Sequence, residues 1–366
     1  MVRRLSKLAE TSQFEGIARA KKCARVFLLG AGASRASKYH LPCLHDFFTG
    51  GDPPDSKFVR CLLPVFGQPK TWNLEDVLTY LEVAVRRARQ WSRRHADQQR
   101  PQFDVALQEL HDFVCKRLRT ERDGDPLHRR LIATLSEGDS VLTLNYDLLI
   151  DDALLLSRSP TSGSKIDPRL AQLGELIGTT KTLRSLGTDV LWHEEQLPGH
   201  YLKLHGSIDW LHCPNERCPA NRSIFSDSCY AGSEVVVPGS ICRRCGTSVT
   251  TKLVPPLLTK GLDDTGPIAL LWRLAFDELR LCSEWIVVGV SLAPSDSELR
   301  WVLRHALASR ETAPVVHVVN PDGKHRSRVR ELVRPFRADI REWDSLEEYL
   351  DDFERDQPAA SAEQGD

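Results

Sequence analysis

The sequence predicts an α/β fold in which a parallel sheet carries helices on both faces. Three observations lead there. Apolar runs of strand length recur along the chain, several end in glycine or asparagine, and amphipathic segments of helical period separate them. Strands that alternate with helices return by crossover connections, so they pair in parallel. With 366 residues the chain can bury a full-sized core, as one large domain with insertions or as two modest ones.

The first strand is Ala24-Arg-Val-Phe-Leu-Leu-Gly30, an apolar run closed by glycine. Two amphipathic helices follow within a helical insertion over 50–136. Leu74, Val77, Leu78, Leu81 and Val85 share one helical face behind Asn73, a residue type suited to an N-cap. Phe103, Leu107, Leu110, Val114 and Leu118 form the second face. The strand Ser140-Val-Leu-Thr-Leu144 then runs into Asn145-Tyr-Asp147 and an apolar helix through Leu156. Residues 157–198, rich in Ser, Thr, Gly and Lys, read as a further insertion with a weak helix around Leu170–Ile177. Tyr201-Leu-Lys-Leu-His205 is the next strand. A helix from Ile268 to Leu281 feeds Trp285-Ile-Val-Val-Gly289, and a helix over Glu298–Leu307 feeds Val315-Val-His-Val-Val319. The polar stretch 357–366 is expected to be a disordered tail. The whole describes a Rossmann-like sheet within a domain of residues 24–355.

Charge excludes one class of partner. The chain has 49 basic and 50 acidic residues, so no global excess exists to hold a nucleic-acid backbone, and no direct nucleic-acid binding is expected. The short basic clusters, Arg86, Arg87, Arg89, Arg93 and Arg94, then Arg326, Arg328 and Arg330, fall in helical segments and read as solvated faces. No apolar run is long enough to cross a bilayer, and the charged start Met1-Val-Arg-Arg-Leu-Ser-Lys lacks a signal core. These features imply no membrane and a cytoplasmic location.

In a reducing compartment the cysteine cluster between Cys213 and Cys245 suggests metal rather than disulfides. Cys213-x4-Cys218 and Cys242-Arg-Arg-Cys245-Gly246 place two thiolates on each of two turns, which suits tetrahedral zinc in a small module over 211–252. The first pair is slightly wide, and His212 or Cys229 can replace one ligand. Four thiolates would leave no open coordination position, so this zinc would be structural.

The other chemistry-bearing residues fall at strand ends. Gly30-Ala-Gly-Ala-Ser34 allows a sharp turn and a close backbone approach to a pyrophosphate, but position 35, where a third glycine would stand, is Arg35. Asn145-Tyr-Asp147, Lys203-Leu-His-Gly-Ser-Ile-Asp-Trp210 and Gly289-Val-Ser-Leu-Ala-Pro294 follow other strands. In an open α/β sheet the carboxyl ends of the strands form the ligand crevice, so the order of elements sends these clusters to one rim. Ser291 lacks the surroundings of a nucleophile elbow. The paired acids Asp151-Asp152, Asp263-Asp264 and Asp351-Asp352 read as surface charges.

Gly30-Ala-Gly-Ala-Ser34, Asn145-x-Asp147, His205-Gly206, the cysteine pairs, Gly289-x-Ser-Leu292 and Val319-Asn320 occur in the order seen in sirtuins. Asn145-Tyr-Asp147, Leu204-His-Gly-Ser-Ile-Asp-Trp210 and Asn73-Leu-Glu-Asp-Val77 resemble more narrowly the bacterial sirtuin-like NAD hydrolases of antiphage defence. The resemblance covers about residues 24–350. It implies that Gly30, Ala31, Gly32 and Ser34 line a phosphate loop, with Gly289 and Ser291 facing phosphate and Asn320 the adenosine ribose. By the same resemblance Asn145 holds the nicotinamide ribose or the attacking water, Asp147 bonds the carboxamide, and His205 acts as general base or ribose-hydroxyl partner.

Two departures count against a protein deacylase. Deacylases continue the glycine loop into Gly-Ile-Pro-Asp-Phe-Arg, where this chain has Tyr39-His-Leu-Pro-Cys-Leu-His-Asp-Phe-Phe48, and the Asn145–His205 gap is much longer here. The resemblance therefore implies an NAD glycohydrolase yielding nicotinamide and ADP-ribose, with NAD as substrate. It further implies control by homo-oligomerisation or a partner protein. A deacylase or mono-ADP-ribosyltransferase, and a non-catalytic NAD or ADP-ribose sensor, are the alternatives.

Overall fold

A computed structural model of the chain describes residues 25–49, 53, 55–91, 100–136, 138–157, 200–215, 217–218, 225–226, 238–254, 267–293 and 296–356. The expected insertion over 157–198, apart from Ser157, and the tail over 357–366 lie outside the described residues.

The chain runs through β1 (Arg25–Leu29) and a one-turn helix α1 (Ala31–Arg35). Four helices follow, α2 (Lys57–Phe66), α3 (Leu74–Trp91), α4 (Arg100–Leu118) and α5 (Pro126–Ala133). Next come β2 (Ser140–Thr143), α6 (Leu149–Ser157), β3 (Tyr201–Lys203), β4 (Gly206–His212), β5 (Phe225–Ser226) and β6 (Thr250–Leu253). The last part holds α7 (Pro267–Leu281), β7 (Glu284–Val288), α8 (Ser297–Ala308), β8 (Val315–Val319), α9 (Gly323–Val333), β9 (Ile340–Trp343) and α10 (Leu346–Asp356).

Six strands form one sheet in the order β3-β2-β1-β7-β8-β9, with every pairing parallel. Counting only these six in chain order gives 3-2-1-4-5-6, the doubly wound Rossmann arrangement whose strand order reverses between β1 and β7. Successive residues of a strand point to opposite faces, and the two faces are distinct cores. Val26 and Leu28 of β1 with Trp285 and Val287 of β7 pack under α7, α8 and α9. Phe27, Leu29, Ile286 and Val288 pack under α5, α6 and α10. Each central strand is apolar on both sides for this reason.

The helical insertion is narrower than its helical content suggested. Leu127, Leu131 and Ile132 of α5 join the sheet's second face, so α5 is a crossover helix of the core. Residues of α2, α3 and α4 build a separate core with Phe47, Phe48 and Trp72, and it includes Tyr146, just past β2, and Ile208 of β4. Asn73 caps α3, its Oδ1 accepting from the Glu75 amide at 2.8 Å. At the next strand end the chain reverses: Gly206 has φ +85°, and a Cβ there would lie 2.2 Å from the Lys252 carbonyl oxygen. The stretch after His205 is therefore a strand, β4, in a small antiparallel sheet β5-β4-β6 that leads to the cysteines.

No helix among the described residues is long and apolar enough to cross a membrane.

Candidate functional site at the sheet switch point

Gly30, Asn145, His205 and Gly289 each follow a strand of the six-stranded sheet, and Asn320 directly follows β8. The two glycine turns at the reversal are seated on each other. The Gly32 amide donates to the Gly289 carbonyl at 3.0 Å, Gly30 donates to Val288 at 2.9 Å, and Ala33 donates to Gly30 at 2.9 Å. A Cβ on Gly30 or Gly32 would stand 2.7 or 2.6 Å from the Gly289 backbone. Gly289 itself has φ +62°, and a Cβ there would lie 2.3 Å from the Ala33 nitrogen. These glycines are demanded by the close packing of β1 and β7 ends, before any ligand is considered. Leu292, three residues on, also has φ +45°, an uncommon conformation for a leucine.

Ser34, Asn145 and Asp147 form one network. The Asn145 Nδ2 donates to the Gly30 carbonyl at 2.9 Å and to Ser34 Oγ at 2.8 Å, and Ser34 Oγ donates to Asp147 Oδ2 at 2.6 Å. Both ends of this relay are acceptors, a carbonyl and a carboxylate, so the direction of every bond is set. The Asn145 Oδ1 takes no donor among the described residues and is left as an acceptor. Asp147 Oδ1 accepts from the Leu149 amide at 3.1 Å, so the same carboxylate starts α6.

Lys203 and Asp151 belong beside this turn. Lys203, 2% exposed, donates to the Asp147 carbonyl at 2.5 Å and to Asp151 Oδ2 at 2.8 Å, and the Tyr201 hydroxyl donates to the same oxygen at 2.9 Å. Asp152, buried, pairs with Arg122 at 2.9 Å. The Asp151-Asp152 pair is thus not the plain surface charge its sequence suggested, because α6 turns both acids toward cations on other elements.

His205 is buried with its ring between Tyr146, at 6.4 Å between centroids, and Trp272, at 5.9 Å. Burial, with Glu75, Asp296 and Glu82 nearby, pushes the Tyr146 phenol up, so its hydroxyl stays a neutral donor to the Val254 carbonyl at 3.0 Å. Glu75 and Asp296 are both buried. Neither belonged to a strand-end motif, and Glu75 was legible only as part of a helix start. Asn320 uses both ends of its side chain internally, Nδ2 on the Val290 carbonyl at 3.3 Å and Oδ1 on the Asp322 amide at 3.0 Å. Ser291 accepts through its carbonyl from Arg328 at 3.1 Å.

The four cysteines come together as the spacing predicted. The Sγ atoms of Cys213, Cys218, Cys242 and Cys245 all lie within 4.8 Å of one another, with Cys213–Cys245 at 3.5 Å and Cys218–Cys242 at 3.9 Å. A tetrahedron with metal–sulfur bonds near 2.3 Å has sulfur–sulfur edges of about 3.8 Å, so the donor set fits one metal ion and is compatible with structural zinc. The Gly246 amide donates to the Cys242 carbonyl at 2.9 Å, and Gly246 takes φ +73°, which closes the second knuckle. Burial pushes the Cys213 thiol up to about 12, whereas hydrogen bonding from Thr247 holds the exposed Cys245 down at about 6. His212 is not part of the four-sulfur group, and Cys229 lies outside the described residues.

Fold and site together define a parallel α/β protein with a polar network at its switch point and a four-cysteine module that follows β4. No model of a known protein family matches the chain, and no curated protein matches it.

Proposed function

We propose that the chain is a sirtuin-like NAD glycohydrolase with a structural zinc ion in its cysteine module. The observation that carries this reading is the Asn145 side chain. Its two amide protons are used by Gly30 and Ser34, and its Oδ1, just past the carboxyl end of β2, takes no donor among the described residues. An acceptor in that position suits a water or a ribose hydroxyl.

In the proposed reaction the bond between nicotinamide nitrogen and ribose C1′ breaks with its electron pair leaving on nicotinamide. Water oxygen bonds to C1′ and releases one proton, giving nicotinamide and ADP-ribose. The transition state has oxocarbenium character, as in other glycosidic cleavages. Asn145 would orient the water or the ribose, and His205 would accept the proton or hold a ribose hydroxyl. Asp147, already fixed by Ser34 and the α6 amide, would meet the carboxamide. A role in antiphage defence, with activity controlled by self-association or a partner protein, belongs to the same proposal.

The test is NAD consumption by the purified chain, resolved by chromatography, beside N145A and H205A. Nicotinamide and ADP-ribose should accumulate with wild type and not with either variant. Absence of both turnover and NAD affinity by calorimetry in every oligomeric fraction would overturn the reading. Affinity without turnover would favour the sensor, and deacylation of an acetyl-lysine peptide would favour the deacylase.

A further inference from the structure

The glycine turn supplies little to an anion. Three of its backbone amides, those of Gly30, Gly32 and Ala33, are engaged within the turn or on β7, and the Ser34 hydroxyl donates to Asp147. The helix that follows, α1, has only 5 residues. A dinucleotide in this crevice therefore needs a positive group from elsewhere.

Helix α9 offers one. Its three arginines stand at alternate positions and end differently. Arg326 and Arg330 pair with Glu342 of β9, and Arg326 also with Asp344. Arg328 points the other way: its Nη1 donates to the Ser291 carbonyl at 3.1 Å, and no carboxylate pairs with it among the described residues. Ser291 lies two residues beyond the Gly289 on which Gly30 and Gly32 are seated. Half-buried His325 lies one helical turn before Arg328, with Asp322 3.7 Å from its Nε2. Burial lowers the His325 pKa, against the pull of Asp322, and the nearby Arg328 and His45 add to the lowering. His45 comes from the loop after α1.

We infer that Arg328 is a phosphate anchor of the crevice and that it contacts a phosphate group of the bound dinucleotide. This rests on the dinucleotide reading of the site. The phosphate is either the pyrophosphate or one carried on the adenosine ribose 2′ oxygen, and both present the same chemistry to a guanidinium.

The experiment is calorimetric titration of the full chain with ADP-ribose and with 2′-phospho-ADP-ribose, for wild type, R328K and R328M. Each variant's thermal unfolding midpoint is followed in parallel. A hydrogen-bonded charge contact of this kind is worth about tenfold or more in affinity. With a pyrophosphate contact, R328M weakens both ligands by that factor and R328K recovers part of it. With a 2′-phosphate contact, only 2′-phospho-ADP-ribose weakens. R328M that binds both ligands like wild type overturns the anchor and leaves the dinucleotide reading standing. Equal losses in R328K and R328M together with a lowered midpoint in both make Arg328 a support of the Ser291 loop and overturn the anchor. Wild type with no affinity for either ligand overturns both.

Discussion

Replacing Gly289 with alanine tests the packing on which the switch point depends. Two separate penalties apply. At φ +62° an alanine meets the left-handed region, which costs about 1–2 kcal/mol for an L-residue. Its Cβ would also lie 2.3 Å from the Ala33 nitrogen and 2.5 Å from Gly32 C and Cα. All three are backbone atoms that cannot swing aside, and overpacking of this kind costs about 1–3 kcal/mol. The expected loss is therefore about 2–5 kcal/mol. Urea unfolding followed by fluorescence of the tryptophans, among them Trp285 on β7, gives the loss from the shift in midpoint. A G289A loss under about 1 kcal/mol would mean that neither the left-handed backbone nor the seating of the two glycine turns restrains the fold, and the reasoning fails.

K203M should destabilise the chain by about 3 kcal/mol, since it strips a buried cation from Asp151 and from the Asp147 carbonyl. The double variant K203M/D151L should regain part of that loss in urea unfolding, and no regain would refute a charge-pair origin. C242S should lower the metal content of the purified chain well below one equivalent and expose residues 213–245 to limited proteolysis. Unchanged metal by elemental analysis would contradict the four-sulfur site. Acid should act through Asp125. Burial alone would raise its carboxyl, but hydrogen bonds from His128 and from the Lys38 and His128 amides hold it down at about 2. A folded pKa below the unfolded one stabilises the protein above about pH 4, and the gain is lost as pH falls toward 2. D125N should therefore remove on the order of 2 kcal/mol at pH 6 and much less near pH 2. A pH-independent difference would show that the carboxylate's charge is not what matters.

What the sequence conveyed about the fold depended on how local the signal was. β1, β2, β7 and β8 are apolar on both faces because helices cover both, so their runs were legible without any partner. β9 was not. It is an edge strand, Ile340-Arg-Glu-Trp343, whose two middle residues are exposed, and Glu342 serves the arginines of α9. Those arginines were expected on a solvated helix face, yet Arg326 and Arg330 face acids on the neighbouring edge and Arg328 a loop carbonyl.

The candidate site divides along the same line. Glycines, Asn145, His205 and the cysteine pairs stand in short motifs, whereas their partners do not. Ser34 is 111 residues from Asn145, and Lys203 is 52 from Asp151. A pairing over such a separation leaves no local pattern. The glycines carried a second ambiguity: the same absence of Cβ serves a pyrophosphate or a neighbouring backbone, and here Gly289 is the near neighbour.

The parallel pairing of β1 also bears on how the chain is made. β1 is the first strand of the sheet to be synthesised and one of its two central strands, yet it is flanked by β2 and by β7, which begins only at Glu284. Until residues 284–288 leave the ribosome, Val26, Phe27, Leu28 and Leu29 present an open, apolar strand edge to their surroundings. Products that terminate before Glu284 should accumulate as aggregates, and full-length chain should depend on chaperones during its synthesis.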